Sequence, residues 1–303
     1  MAMKTYFLRT VTATMLTATM LTATVPATFS TVMFSQNRAV ENVYYQKKDV
    51  EIFNKYLSFI QKNPVAGLTS GELISRTAGF FLGVPYVAHT LEIEPEGLVV
   101  NLREMDCTTY LETVYALAMT VRSGELSFEN FCNKLRLLRY REGVINDYTD
   151  RLHYTSGWIG TNIKKGLVCI VTDKSNSEPI QFTLNIMSSN TGRYKQLKGK
   201  PELIEKVKKR EEELSSQIHY YLPTDKIERN KNIFNSGDML GFVTTQPGID
   251  ISHVGIICVD GDKLTFYHAS STHKKVVLSE LSIIDYLSSN PKNIGLIAVR
   301  AAF

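Results

Sequence analysis

Met105-Asp106-Cys107-Thr108-Thr109-Tyr110 opens a run that continues to Arg122 and sets the reading of the whole chain. After Cys107 the apolar residues Leu111, Val114, Tyr115, Ala118 and Val121 recur at spacings of three and four, the stripe of an amphipathic helix. Asp106 fits the N-cap, because a carboxylate there accepts a bond from an unpaired first-turn N–H. Cys107 then stands at the helix start, where the dipole and free N–H groups favour negative charge. That position predicts a lowered thiol pKa and the character of a nucleophile. A free cysteine is more often a small buried hydrophobe, so partners elsewhere in the chain must decide between the two.

The chain has 303 residues, 44% of them hydrophobic and 21% charged, the balance of a globular protein with a sizeable core. Residues 1–27 read as an export signal. Lys4 and Arg9 form a basic start, a run rich in Thr, Ala and Leu follows, and Val25-Pro26-Ala27 offers a small-residue cleavage site. This predicts an exported protein, periplasmic or secreted. Setting Lys4 and Arg9 aside lowers the formal charge from +4 to about +2, which argues against nucleic acid as the main partner. No other stretch approaches ~18 uninterrupted apolar residues, so no membrane span is expected. Cys132, Cys169 and Cys258 show no regular spacing with Cys107, and the apolar runs around Cys169 and Cys258 predict buried thiols. No cysteine or histidine spacing suggests zinc, and neither a metal nor another cofactor is expected.

Residues 28–48 lack periodicity and read as a linker. Helices are expected over 49–62 and 70–81, with Asn63-Pro64 ending the first, and they define an N-terminal helical region at 49–98. The remaining core, 99–303, adds a short strand at 98–102, a helix at 127–138, a strand over 177–187 and a helix at 201–218, with an insertion around 188–235. The charges from Lys206 to Glu213 read as a solvated helix face. Residues 139–158 mix Tyr140, Arg141, Tyr148, Asp150, Arg151, His153, Tyr154 and Trp158. Such a mixture suits a sugar or a peptide, which is polar yet presents flat apolar faces; it equally suits a surface loop anchored by aromatics.

The last third is strand-rich, with strands expected at 239–244, 253–259, 264–269 and 294–300. Asp260-Gly261-Asp262 is a hairpin signal. Turning at Gly261 sets His253 opposite about residue 269, which brings His253 and His268 close on adjacent strands. One imidazole can then act as base toward a thiol while the other orients it through the second ring nitrogen. His89, His219 and His273 have no such context. Helices first and an antiparallel meander last make an α+β fold.

These residues carry a family resemblance. Leu82-Gly83-Val84-Pro85-Tyr86, Asp106-Cys107-Thr108, Gly237-Asp238, Ser252-His253-Val254-Gly255-Ile256 and His268-Ala269-Ser270, in that order, resemble the signature of the NlpC/P60 cysteine peptidase superfamily. Leu102-Arg103-Glu104-Met105-Asp106-Cys107-Thr108-Thr109 and Asp150-Arg151-Leu152-His153-Tyr154 are similar to its DUF1460 branch, the N-acetylmuramoyl-L-alanine amidase-like enzymes, and the likeness spans roughly residues 50–300. It implies a papain-like core, a helix-borne cysteine packed on an antiparallel sheet carrying two histidines. In that core Cys107 attacks, His253 is the base and His268 orients it. It also implies Tyr86 and Asp106 beside the nucleophile, and a substrate site that takes in Asp150, Arg151, His153 and Tyr154. Thr108-Thr109 stands where many relatives have Ser-Gly, and the distance in sequence from Tyr86 to Cys107 is longer than usual, so endopeptidase specificity is not carried over. The implied reaction is hydrolysis of the amide between N-acetylmuramic acid, in its plain or 1,6-anhydro form, and L-alanine in peptidoglycan fragments. A D,L-endopeptidase cutting after D-Glu, an inactive wall-binding module and an acyl transfer to lipid are the competing readings.

Overall fold

The computed structural model describes residues 43–303. The expected export signal lies outside the described residues, as does most of the expected linker. In chain order the elements are β1 (Val43–Tyr44), α1 (Lys47–Lys62), α2 (Ser70–Phe80), β2 (Leu98–Val99), α3 (Cys107–Ser123), α4 (Phe128–Arg139), α5 (Thr155–Lys164), β3 (Val168–Ile170), β4 (Glu178–Ile180), α6 (Ile186–Ser189), α7 (Pro201–Ser215), β5 (His219–Pro223), β6 (Met239–Thr244), β7 (Ile251–Asp260), β8 (Lys263–Ser270), β9 (Lys275–Leu278), α8 (Ile283–Ser288) and β10 (Asn293–Ala301). The mixture is α+β. Its main sheet is antiparallel, ordered β4-β5-β10-β6-β7-β8-β9, with β3 pairing along β10 beyond β5. A small parallel pair joins β1 to β2.

The sheet is covered on both faces. Alternation along β6 divides its side chains, Met239 and Val243 going to the helical side and Leu240 and Phe242 to the other. On the helical side α3 is buried along its whole middle, from Thr109 to Thr120. The expected one-sided stripe gives way to burial all round because α2 and α4 flank the helix while β7 and β8 lie against it. Glu112, buried on this helix, is paired: Arg139 donates from Nε to it at 2.6 Å and from Nη1 to the Val99 carbonyl at 2.6 Å. Such a pair is costly to break, since either partner left alone is an uncompensated charge.

Some expectations were displaced. Residues 43–48, expected as linker, hold β1 and the start of α1, because Gln46 N–H is capped by the Asp49 carboxylate at 2.8 Å and Val43–Tyr44 pair with Leu98–Val99. The strand expected over 177–187 shortens to β4, since β5 pairs with it only from Glu178 to Ile180, and the chain then turns into α6. The supposed insertion at 188–235 includes β5, which is part of the main sheet. The aromatic stretch 139–158 ends in α5. Cys169 is exposed and Cys258 half-buried, against the expectation of two buried thiols. Cys169 faces outward on a strand that keeps only Val168 buried, and all four cysteines are free.

Candidate active site

The segment leading into Cys107 is held from two directions. The buried Asp49 carboxylate on α1 accepts the Leu102 N–H at 2.8 Å and Arg103 Nε at 3.1 Å. Met105 pairs with the chain at 85–87, its N–H donating to the Pro85 carbonyl at 3.0 Å and its carbonyl accepting from Val87 at 3.1 Å. This pairing lays Tyr86 beside the helix start, close enough for Cys107 and Asp106 to hold its phenol up, after burial. Asp106 is the N-cap. Its carboxylate accepts both the N–H and the hydroxyl of Thr109 at 2.8 Å, and the Thr109 hydroxyl in turn accepts the Asp106 N–H at 2.9 Å.

The half-buried Cys107 faces β7, its sulfur touching the backbone of Val254. Its thiol is not lowered as the helix start suggested. Burial and the neighbouring Asp106 carboxylate push it up to about 11. The same aspartate that ends the helix cleanly takes up a first-turn donor and sets a negative charge against the dipole.

The hairpin register runs Ile256↔Tyr267 through Asp260↔Lys263. Continued, it sets Ser270 opposite His253, one residue beyond the expected partner. The difference decides the face: His268, two residues from Ser270, now shares the side of the sheet with His253. Nε2 of His253 and Nδ1 of His268 are 2.7 Å apart. Phe242 lies parallel to the His253 ring at 6.3 Å, and Tyr286 of α8 packs on both imidazoles at 6.0 and 5.7 Å. Burial among these rings lowers His253 to about 4 and His268 to about 3, the latter helped by His253. Both imidazoles are neutral at pH 7. One ring donates across this contact and the other accepts; with His253 donating from Nε2, its Nδ1 is left bare.

Cys107 and His253 line one cavity of about 280 Å³ together with Thr108, His153, Tyr154, Tyr194 and Asp250. The other sequence candidates are distributed differently. Asp150 does not reach that cavity; its carboxylate accepts the N–H groups of Asn146 and Asp147 at 2.8 and 3.2 Å. Arg151 is buried, bonded to Glu92 at 2.7 Å, to Glu96 at 2.8 and 3.0 Å and to the Leu91 carbonyl at 3.1 Å, and it borders an adjoining cavity beside Asp106. The Tyr154 hydroxyl donates to Glu211 at 2.6 Å. His153 Nε2 lies 2.9 Å from the Tyr148 carbonyl, and burial together with Arg151 lowers its pKa to about 3. A carbonyl only accepts, so that nitrogen carries the proton.

Sequence reasoning missed Tyr286, Asp250 and Glu211. Tyr286 lies on a six-residue helix whose sequence has no chemical signature. Asp250 follows a Gly/Pro turn and accepts the Ser156 N–H of α5 at 2.6 Å and its neighbour Ile251's N–H at 2.8 Å. Glu211 sits inside the charge run read as solvated, yet it is buried and also accepts the Met187 N–H at 3.0 Å. The period of α7 holds the signal that was available: Val207 and Glu211 are four apart and share a face.

The class is an α+β protein in which a thiol at a helix start shares a cavity with one of two hydrogen-bonded imidazoles. The N-acetylmuramoyl-L-alanine amidase-like (AmiA-like) family matches residues 76–296, and the chain belongs to that family. A crystal structure of an N-acetylmuramoyl-L-alanine amidase from Bacteroides uniformis is 38% identical, covers 77% of this chain and 99% of its own, and superposes with a TM-score of 0.74. A Bacteroides fragilis structure provisionally described as a xylanase is 35% identical over 74% of this chain and 99% of its own, with a TM-score of 0.71. A Legionella pneumophila protein of the DUF1460 family is 22% identical over 84% of this chain and 97% of its own, with a TM-score of 0.61, and shares the fold. No curated protein matches. Among the described residues no cluster of three or more His, Cys, Asp or Glu is arranged for a metal ion, and no helix is long and apolar enough to cross a membrane.

Proposed function

We propose that the protein is an exported cysteine amidase of papain-like NlpC/P60 type. It cleaves the amide between N-acetylmuramic acid and L-alanine in peptidoglycan fragments. The observation that carries this reading is the shared cavity of Cys107 and His253, with His253 bonded on its far side to His268. Family membership and the Bacteroides uniformis amidase support the choice of bond. Against glycoside hydrolysis, which needs two carboxylates flanking the bond, the cavity presents only Asp250, and both its oxygens are engaged.

In this mechanism the site rests as a neutral thiol and a neutral imidazole. As Cys107 Sγ attacks the lactyl carbonyl carbon, its proton passes to His253 Nδ1. The His253 cation is stabilised through Nε2–H by the lone pair of His268, and the Cys107 N–H at the helix start faces the oxyanion. His253 then protonates the alanine nitrogen, the C–N bond breaks and a thioester remains. Water adds to the thioester, giving its proton to His253, and the free muramic carboxylate leaves while the thiol recovers its proton.

Purified muropeptides with mass spectrometry test this. Release of L-Ala-peptide and free sugar by wild type, lost in Cys107→Ala, is the expected result. A shortened stem still attached to the sugar would make the protein a D,L-endopeptidase, and no product at all would leave a binding module. The 1,6-anhydro sugar is the form the resemblance favours, and competition between anhydro and reducing-end muropeptides measures that preference.

A further inference from the structure

Two cavities meet at His253. The first holds Cys107 and measures about 280 Å³. The second, about 530 Å³, is bounded by β8, β9 and α8. His253, His268, Ser270, Lys275, Ser279 and Tyr286 line it, and Cys107 does not. Building on the amidase reading, we propose that the substrate divides at His253. The sugar occupies the Cys107 cavity and the stem peptide runs into the hydroxyl-lined one, where Lys275 binds the free α-carboxylate of the second stem residue.

The chemistry orders the two halves. The carbonyl carbon that bonds to Cys107 keeps its acyl half in the cavity that holds Cys107. The leaving nitrogen takes its proton from His253, so the peptide attached to it continues on the His253 side. Charge agrees with this. A muramoyl group in amide linkage is uncharged, and no Lys or Arg lines the Cys107 cavity. A γ-linked D-glutamate at the second stem position carries a free α-carboxylate, and Lys275 is exposed with no ion-pair partner among the described residues. Glu280, the other formal charge of that cavity, lies past the far end of β9.

Distance agrees as well. Lys275 pairs with Ser270, and Ser270 stands opposite His253 in the continued register, so the three form one row on one face. Two strand spacings separate the ends of the row, about 10 Å. A peptide advances at most about 3.5 Å per residue, which puts the second stem residue about 7 Å from the scissile nitrogen, and a lysine side chain covers the rest.

Steady-state kinetics of the full chain on two substrates of equal size decide it: one muramoyl sugar on L-Ala–γ-D-Glu, and the same sugar on L-Ala–D-isoglutamine, where the α-carboxylate is an amide. Wild type should favour the carboxylate in kcat/KM by about fivefold, what one exposed ion pair provides. Lys275→Gln should bring the ratio to about one, Lys275→Glu should invert it, and Lys275→Arg should retain it. No preference in wild type, or an unchanged ratio in Lys275→Gln, overturns the proposal, as does a ratio that shifts instead in Tyr194→Phe on the Cys107 side. Should wild type cleave neither substrate at the muramoyl bond, the amidase reading itself fails and takes this one with it.

Discussion

Cys107 and His253 open onto a cavity, whereas Asp150, Arg151 and Tyr154 have their polar groups bound within the protein. The first region is half-buried and borders an open cavity, its one strong internal bond tying His253 to His268. The second is a closed network in which Arg151 alone holds Glu92, Glu96 and the Leu91 carbonyl. Both regions are rich in residues that catalyse or bind. What separates them is access: the first faces the cavity, while the polar groups of the second are spent on partners in the folded state and position structure. By this criterion the second region shapes the wall of the cleft, with His153 and Tyr154 at its surface.

The comparison can be broken. Cys107→Ala should reduce amide hydrolysis by about 10⁴-fold or more with little change in the urea midpoint; substantial residual turnover would remove the thiol from the mechanism. Arg151→Met should act on stability, costing about 3–5 kcal/mol in urea unfolding because the buried Glu96 side chain keeps only the Tyr140 hydroxyl and the part-exposed Glu92 loses its cation. If its stability were unchanged and only KM rose, Arg151 would be a substrate contact after all. His268→Ala should lower kcat by about 100-fold with KM nearly constant, since it acts on His253 rather than on substrate, and His268→Asn should recover part of the loss. Tyr154→Phe, which leaves the Glu211 carboxylate short of one donor, should cost about 1–2 kcal/mol of stability and less in turnover.

Acidity sharpens the same contrast. His253, lowered to about 4, stays a neutral base at pH 5.5, so kcat/KM should hold there, where an imidazole of ordinary pKa, about 6.5, would be mostly protonated. The thiol, raised to about 11, should alkylate with iodoacetamide slowly at pH 7 and faster at every step upward. A fast, pH-independent alkylation near neutrality would instead reveal a thiolate–imidazolium pair. Stability follows the opposite limb. The folded His253, His268 and His153 resist protonation while the unfolded chain accepts protons from about pH 6.5 downward, so stability falls from there toward the folded values.

The regular part of this design was readable in the residues. The three-and-four spacing after Cys107, the Asp106 cap and the Asp-Gly-Asp turn each have a local cause, and the corresponding elements form within a residue or two of expectation. The failures came where long-range contact overrides a local rule. Dipole and cap lead to a lowered Cys107 pKa only if the surroundings are wet and Asp106 is ignored. Glu211 looks solvated until α6 and Tyr154 close over it. Tyr286 enters the site from a six-residue helix near the end of the chain, and nothing near it in sequence points to the histidines. The hairpin register was off by a single residue, and in a strand that is enough to exchange faces.

Asp49 links the start of the described fold to Cys107, because the α1 carboxylate that caps Gln46 also grips Leu102 and Arg103 just ahead of it. A truncation that stops before Gln46 leaves the thiol anchored, while one that cuts into α1 unmoors the loop that presents it, so the first helix is itself a condition of how Cys107 is held.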